Sequence, residues 1–246
     1  MNPAASVFLL VIVFLGASFL VSHVDGFLPP RVQLHRRGHS STIALTQTLS
    51  TDDNDINSEM YVPTKVIPVE FCGPGCVLLA QPNDSSHFFV RAAVFIYQYE
   101  KEEGARGVIL ERPSAFSMGE TSPGIGCFEA NTLFIGGEQG SDTAIMLGKL
   151  QLEGACKYVG SGIYLGGMKA AKERVTDGIG VPKDYKFFFN HAEWEAGVLE
   201  KEIAAGTWDV IKAPPEDVLC QDSSGVEFWS RARNQLVSEG LLKNDD

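Results

Sequence analysis

The chain opens on an almost unbroken apolar run, Val7 to Val21, a few residues from its start. That is shorter than the roughly 20 apolar residues a membrane-crossing helix needs, and it suits the apolar region of a secretory signal peptide. From Val77 onward the apolar positions fall into short clusters divided by glycine, proline and polar residues. Val77 to Ala80, closed by Pro82, predicts a strand and turn, and Val90 to Tyr97 predicts a longer buried strand. The charged turn Glu100 to Gly104 and the return through Gly107 to Leu110 predict a hairpin. Thr132 to Ile135, Ala144 to Leu147, Ile163 to Leu165 and Phe187 to Asn190 predict further short strands.

Helical spacing appears late in the chain. Glu193 to Ala205 gathers Trp194, Val198 and Ala205 near one face, with Leu199 and Ile203 beside them, and Gly206 supplies a stop. Glu227 to Glu239 spaces Trp229, Ala232 and Leu236 in the same way before Gly240, and Met168 to Thr176 is a weaker third helix. Strands first, helices late and short connections throughout predict an α+β fold, not a regular doubly wound sheet.

Composition changes the reading of the amino terminus. Gly26 to Thr51 contains no Asp or Glu, carries Arg31, Arg36 and Arg37, and turns rich in Ser and Thr, the signature of a transit peptide. A signal peptide followed by a transit peptide is the layout of the bipartite leader of algae whose plastids are reached through the ER, and Phe27 sits where such leaders carry an aromatic residue. The expected division is residues 1–25 signal peptide, 26–57 transit peptide and linker, and 58–246 one domain. The expected location is the plastid stroma, with secretion as the alternative. Asn83-Asp84-Ser85 is a glycosylation sequon whose occupancy would report passage through the ER.

Charge narrows the partners. The chain has 20 Lys+Arg and 31 Asp+Glu; removing the three arginines and one aspartate of residues 1–51 leaves 17 basic and 30 acidic residues, net −13. Such a field repels phosphate backbones, so direct nucleic-acid binding is disfavoured. No second apolar run argues for membrane insertion of the mature domain. Five cysteines, an odd and widely spaced set, do not read as a secreted disulfide framework.

Several blocks recur in an order and spacing that resemble one family. These are G-C-V-L-L-A-Q-P (Gly75 to Pro82), F-V-R-A-A-V-F-I (Phe89 to Ile96), G-A-R-G-V-I-L-E-R-P (Gly104 to Pro113), the pair Gly136-Gly137, and W-E-A-G-V-L-E-K-E-I-A-A-G-T-W (Trp194 to Trp208). Together they resemble the YqgE/AlgH family of bacterial and plastid proteins. The resemblance implies a compact single α+β domain with a small, partly closed β-barrel and flanking helices, and it brings no established activity. This chain departs from the family pattern at polar positions, with Ala92 for a serine, Tyr99 for a histidine, Glu111 for an asparagine and Glu138 for a proline.

The candidate chemistry is sparse. His191-Ala192-Glu193 has the form of a zinc-deaminase tripeptide but lacks the downstream cysteine pair that would complete three metal ligands. Placed between the strand ending at Asn190 and a helix N-terminus, which lowers the pKa of a nearby His and favours anions, His191 is a candidate general acid or base; the alternative is a His that satisfies a backbone group at the turn. Gly136-Gly137-Glu138-Gln139-Gly140 lacks the Lys and Ser/Thr of a phosphate loop, and Gly160 to Gly166 reads as a glycine-bounded strand. Arg112 is a second anion-binding candidate, or a partner for Glu111 or Glu138. Cys72-Gly73-Pro74-Gly75-Cys76 forms a turn that suits a reversible disulfide. The ligand-binding candidates are therefore Arg112, Gly136, Gly137 and His191, and the redox candidates are Cys72 and Cys76; no metal or cofactor is expected. The reading is a non-catalytic binding or regulatory module for a protein or small ligand. The alternatives are an enzyme with its site near Arg112, Gly136-Gly137 and His191, or a thiol-regulated module.

Overall fold

All five residues of strand β2, Cys76–Ala80, are buried. Successive side chains of a strand point to opposite faces, so its sheet must be covered on both. The computed structural model describes residues 65–66, 72–83, 88–221 and 227–242. The expected signal peptide, transit peptide and most of the sequon lie outside the described residues.

One run of antiparallel neighbours is β1 (Lys65–Val66), β11 (Trp208–Lys212), β2, β3 (Ala93–Glu100), β4 (Gly104–Ile109) and the C-terminal part of β10 (Tyr185–Trp194). The N-terminal part of β10 lies between β7 (Gln139–Gly148), antiparallel, and β6 (Thr132–Ile135), parallel. Strand β5 (Pro113–Ser117) pairs with β6, and β9 (Tyr164–Leu165) joins β7 to β8 (Lys157–Tyr158). Strand β10 thus serves two parts of one curled sheet. It changes partners at a bulge between Phe189 and His191, where Asn190 adopts φ +62°. A bulge of this kind bends a strand and strengthens its local twist. The result is the mixed domain expected, a curled half-barrel sheet flanked by helices.

Three apolar layers follow from the alternation. Val77, Leu79, Phe95 and Val108 face a core shared with Phe134, Phe188, helix α4 (Pro215–Val218) and helix α5 (Phe228–Ser238) through Trp229 and Leu236. Cys76, Leu78, Val94 and Ile96 point the other way, toward Leu199 and Ile203 of α3 (Val198–Ala204). Leu133, Met146 and Phe187 pack with Phe128 and with Ala171 of α2 (Met168–Thr176), next to Met118 of the short α1 (Met118–Thr121).

The W…E…W spacing has a direct physical basis. Glu202 on α3 accepts hydrogen bonds on one carboxylate oxygen, Oε2, from the indole N–H of both Trp194 (2.9 Å) and Trp208 (2.8 Å). Both indoles are buried, and Phe89 packs against each of them.

Several element boundaries differ from expectation, β4, β7 and β10 starting earlier than predicted and β7 and β10 also ending later, and two further differences have a local cause. The helix expected from Glu193 begins at Val198, because Glu193 and Trp194 still pair with Arg106 and Ala105 in β4 and Gly197 turns the chain at φ +76°. Trp194 satisfies either period, so its spacing did not discriminate. The strand expected from Val90 begins at Ala93, because Arg91 takes φ +50° in a turn. Strand Thr132–Ile135 and helix Met168–Thr176 lie where the pattern placed them.

Candidate functional site: a glycine-walled histidine at the strand junction

Gly136 stitches the two parts of the sheet together. Its N–H donates to the Phe189 carbonyl (2.8 Å), and its carbonyl accepts from the Ile109 N–H (2.9 Å). A Cβ on Gly136 would lie 2.4 Å from the Asn190 carbonyl oxygen, and one on Gly137 would lie 1.8 Å from the His191 carbonyl carbon. The requirement for glycine here is close approach of two backbones. The pair is a wall against which Asn190 and His191 lie, and not a phosphate cradle.

His191 is inside β10 and not at a helix N-terminus, which corrects the position expected for it. Its side chain is 9% exposed, and neither Nδ1 nor Nε2 hydrogen-bonds another described residue. The Glu193 carboxylate stands 3.7 Å from Nε2, beyond hydrogen-bond length. The pKa of His191 is lowered as expected, but the main cause is burial, with the Glu193 charge opposing it. Glu193 is itself engaged by the Arg106 guanidinium (Nη2–Oε1 2.7 Å), which holds its carboxyl below the usual range. The Tyr97 ring meets the imidazole edge-on at 6.4 Å between centroids, and burial pushes its phenol up to about 12. Asn190 Oδ1 is a further buried atom without a hydrogen-bond partner among the described residues.

A pH dependence follows. The folded-state pKa of His191 lies below the unfolded value, so on acidification the unfolded chain takes up the proton first. Stability associated with His191 is present above about pH 6.5 and declines as pH falls through that value toward the folded pKa. Urea titrations at about pH 7.5 and about pH 5 should show a steeper acid loss for the native chain than for His191→Phe. Equal losses would remove His191 as the source.

Arg112 joins the junction through its backbone, its carbonyl accepting from Ile135 N–H at 2.7 Å. Its guanidinium lies over the Phe88 ring at 4.8 Å and donates to the Val90 carbonyl at 3.5 Å. Glu111 is not its partner, since that carboxylate accepts from the Phe228 and Trp229 N–H groups at the start of α5. The structure therefore brings the backbones at Arg112, Gly136-Gly137 and His191 together, and it commits the Arg112 side chain to Phe88 and Val90.

Cys72 and Cys76 lie in a tight turn, unbridged. Gly73 N–H points at Cys76 Sγ (3.4 Å), and the two thiols hydrogen-bond to each other. That mutual bond lowers Cys76 to about 6 and pushes Cys72 up.

Sequence reasoning passed over Tyr97, Arg106, Asn190 and Lys186. Lys186 is 2% exposed, lies 4.3 Å above the Phe134 ring, and donates to the Val218 carbonyl (3.4 Å) and the Cys220 carbonyl (2.5 Å) at the end of α4. Burial pushes its pKa down to about 8. A lysine inside the aromatic run Tyr185 to Phe189 was the available signal. A shallow groove of about 240 Å³ beside α2, lined by Leu152, Glu153, Glu173 and Arg174 among others, is separate from the His191 junction. Among the described residues no group of three or more metal-ligating side chains converges, and no helix is long and apolar enough to cross a membrane.

The AlgH-like family model matches residues 77–239, from β2 through α5. The chain belongs to the AlgH-like family. A UPF0301 protein of Thermobifida fusca is 31% identical over 178 residues, covering 67% of this chain and 87% of that relative. A UPF0301 protein of Bacteroides fragilis is 26% identical over 192 residues, covering 78% and 92%. Among solved structures, protein DIP2367 from Corynebacterium diphtheriae aligns with TM-score 0.56 at 26% identity, over 65% of this chain and 85% of that one. The AlgH protein from Pseudomonas aeruginosa aligns with TM-score 0.52 at 20% identity over 70% and 95%, a likeness of fold. The His191 junction lies inside the AlgH-like match, and the Cys72–Cys76 turn lies just ahead of it.

Proposed function

We propose that this AlgH-like chain is a non-catalytic binding module whose recognition centre is the junction of the Gly136-Gly137 turn with Asn190 and His191. One observation carries the reading: a buried imidazole with both ring nitrogens, and the neighbouring Asn190 Oδ1, unmet by described protein groups. Leaving such a group unmet costs about 1–3 kcal/mol, so a site that keeps three of them favours whatever satisfies them. With its pKa lowered, His191 is neutral at pH 7 and offers one N–H and one lone pair, and Asn190 Oδ1 adds an acceptor. That set matches a small uncharged ligand with adjacent hydroxyl or amide groups. It does not match a phosphate, which the net charge of −13 on residues 52–246 would also repel.

Binding is favoured over catalysis by the state of the neighbours. Arg106 and Glu193 satisfy each other, and the Tyr97 phenol holds its proton at neutral pH, so no poised acid–base pair faces the imidazole. Native mass spectrometry of the full chain, purified under native conditions, tests the reading. A small-molecule adduct is expected on the native chain and not on Asn190→Gly, a substitution that keeps the positive φ and removes the amide. The same adduct on both proteins, or bare polypeptide on both, would overturn the assignment.

A further inference from the structure

The turn at the start of β2 carries chemistry that the His191 junction does not use. Cys76 is the first residue of β2 and pairs in register with Lys212 of β11. The turn ahead of it is pinned from several directions. Gly75 N–H donates to the Ile96 carbonyl (2.8 Å), Ser161 Oγ donates to the Gly75 carbonyl (2.7 Å), and Cys76 N–H donates to the Gly73 carbonyl (3.1 Å). Gly160 presses directly on Gly75, so closely that a Cβ on Gly75 would lie 2.7 Å from the Gly160 Cα. This contact explains the glycine at Gly160, whose backbone backs the cysteine turn. Within the turn, Cys76 Sγ faces the Gly73 N–H and the Cys72 thiol, with Lys212 nearby. Cys76 is fully buried and Cys72 is partly exposed.

We propose that Cys72 and Cys76 form a thiol–disulfide exchange couple that takes a small-molecule disulfide as its oxidant. The geometry divides the roles. Cys72 is the partly exposed residue of the pair and Cys76 the fully buried one, so Cys72 is assigned the attack on the oxidant and Cys76 the resolving step. The hydrogen bonds from Cys72, from Gly73 N–H and the charge of Lys212 hold Cys76 as a thiolate at neutral pH, with its partner protonated. Cys72 passes its proton along the shared hydrogen bond as it attacks one sulfur of the oxidant, expelling the first thiolate. That thiolate takes the proton from Cys76. Cys76 then attacks Cys72 Sγ, breaks the mixed disulfide and expels the second thiolate. The pair is oxidised to a disulfide, and the oxidant leaves as two reduced halves, one of them carrying the proton.

The test uses the full chain equilibrated with excess glutathione disulfide, then unfolded in an alkylating agent and mapped by mass. The expected result is a loss of two hydrogens assigned to the Cys72–Cys76 peptide, with alkylation lost at both positions and regained after dithiothreitol. Cys76→Ser should retain one glutathione on Cys72, because the resolving sulfur is gone. If Cys72 and Cys76 remain alkylated in the native chain, or the two hydrogens are lost from another cysteine pair, the proposal fails.

Discussion

Gly137→Ala is expected to destabilise the domain by at least about 3 kcal/mol, at or beyond the upper range for overpacking substitutions. The added Cβ would lie 1.8 Å from the His191 carbonyl carbon, 2.0 Å from its oxygen and 2.2 Å from the Ala192 nitrogen. All three are backbone atoms of β10, so no side-chain rotation relieves the clash. The turn would have to withdraw from the bulge, and the Gly136 bonds to Phe189 and Ile109 that join the two parts of the sheet would lengthen or break. Gly73→Ala is the matched control: nothing lies within 4 Å of its Cβ position, and the expected change is within about 1 kcal/mol of zero. Urea unfolding midpoints read the difference. Similar midpoints for the two variants would mean that the glycine wall does not constrain the junction.

Glu202→Leu is expected to cost roughly 2–6 kcal/mol, because it removes the acceptor shared by two buried indole N–H groups and each orphaned donor costs about 1–3 kcal/mol. Trp194 and Trp208 are 4% and 3% exposed, so replacing their lost bonds with water would open the layer beneath α3. Both indoles use Oε2, and Glu202→Gln therefore retains an acceptor oxygen and should recover most of the loss. Denaturant midpoints, with tryptophan fluorescence followed in the same titration, separate the two variants. An equal effect of Leu and Gln would show that the carboxylate position contributes through packing and not through the indole bonds.

The parts of the fold legible in the sequence are those that local pattern determines. Helix α5 and strand β6 follow from apolar spacing with punctuation, since Trp229, Ala232 and Leu236 repeat at helical intervals and Thr132–Ile135 is closed by glycines. Strand β10 was half legible. Phe187 to Asn190 reads as a strand, but its continuation to Trp194 depends on pairing with β4, which the apolar positions after Asn190 do not reveal.

The candidate site can be compared with the sequence only in where its residues lie. Gly136, Gly137 and His191 were singled out, and the structure lays Gly137 against His191 and Gly136 against the preceding Asn190. The reason expected for the lowered pKa of His191 was a helix terminus, and the cause is burial in a sheet. Polar roles set by distant partners were invisible. Glu111 stands at the start of α5, 117 positions away along the chain, and Lys186 reaches carbonyls 32 and 34 positions away. Asn190 carried a usable signal, since Asn is among the residues that tolerate a positive φ, but the bulge that requires it is a property of the paired strands.

The binding-site claim is tested most directly by NMR of the full chain with isotope-labelled histidine, following the His191 ring during titration with small alcohols and amides and, separately, with inorganic phosphate. The expected ring titrates below about 6.5 and moves saturably with at least one hydroxyl- or amide-bearing probe but not with phosphate. A ring that titrates at or above that value, or that moves with none of the probes or with phosphate alone, would contradict the claim.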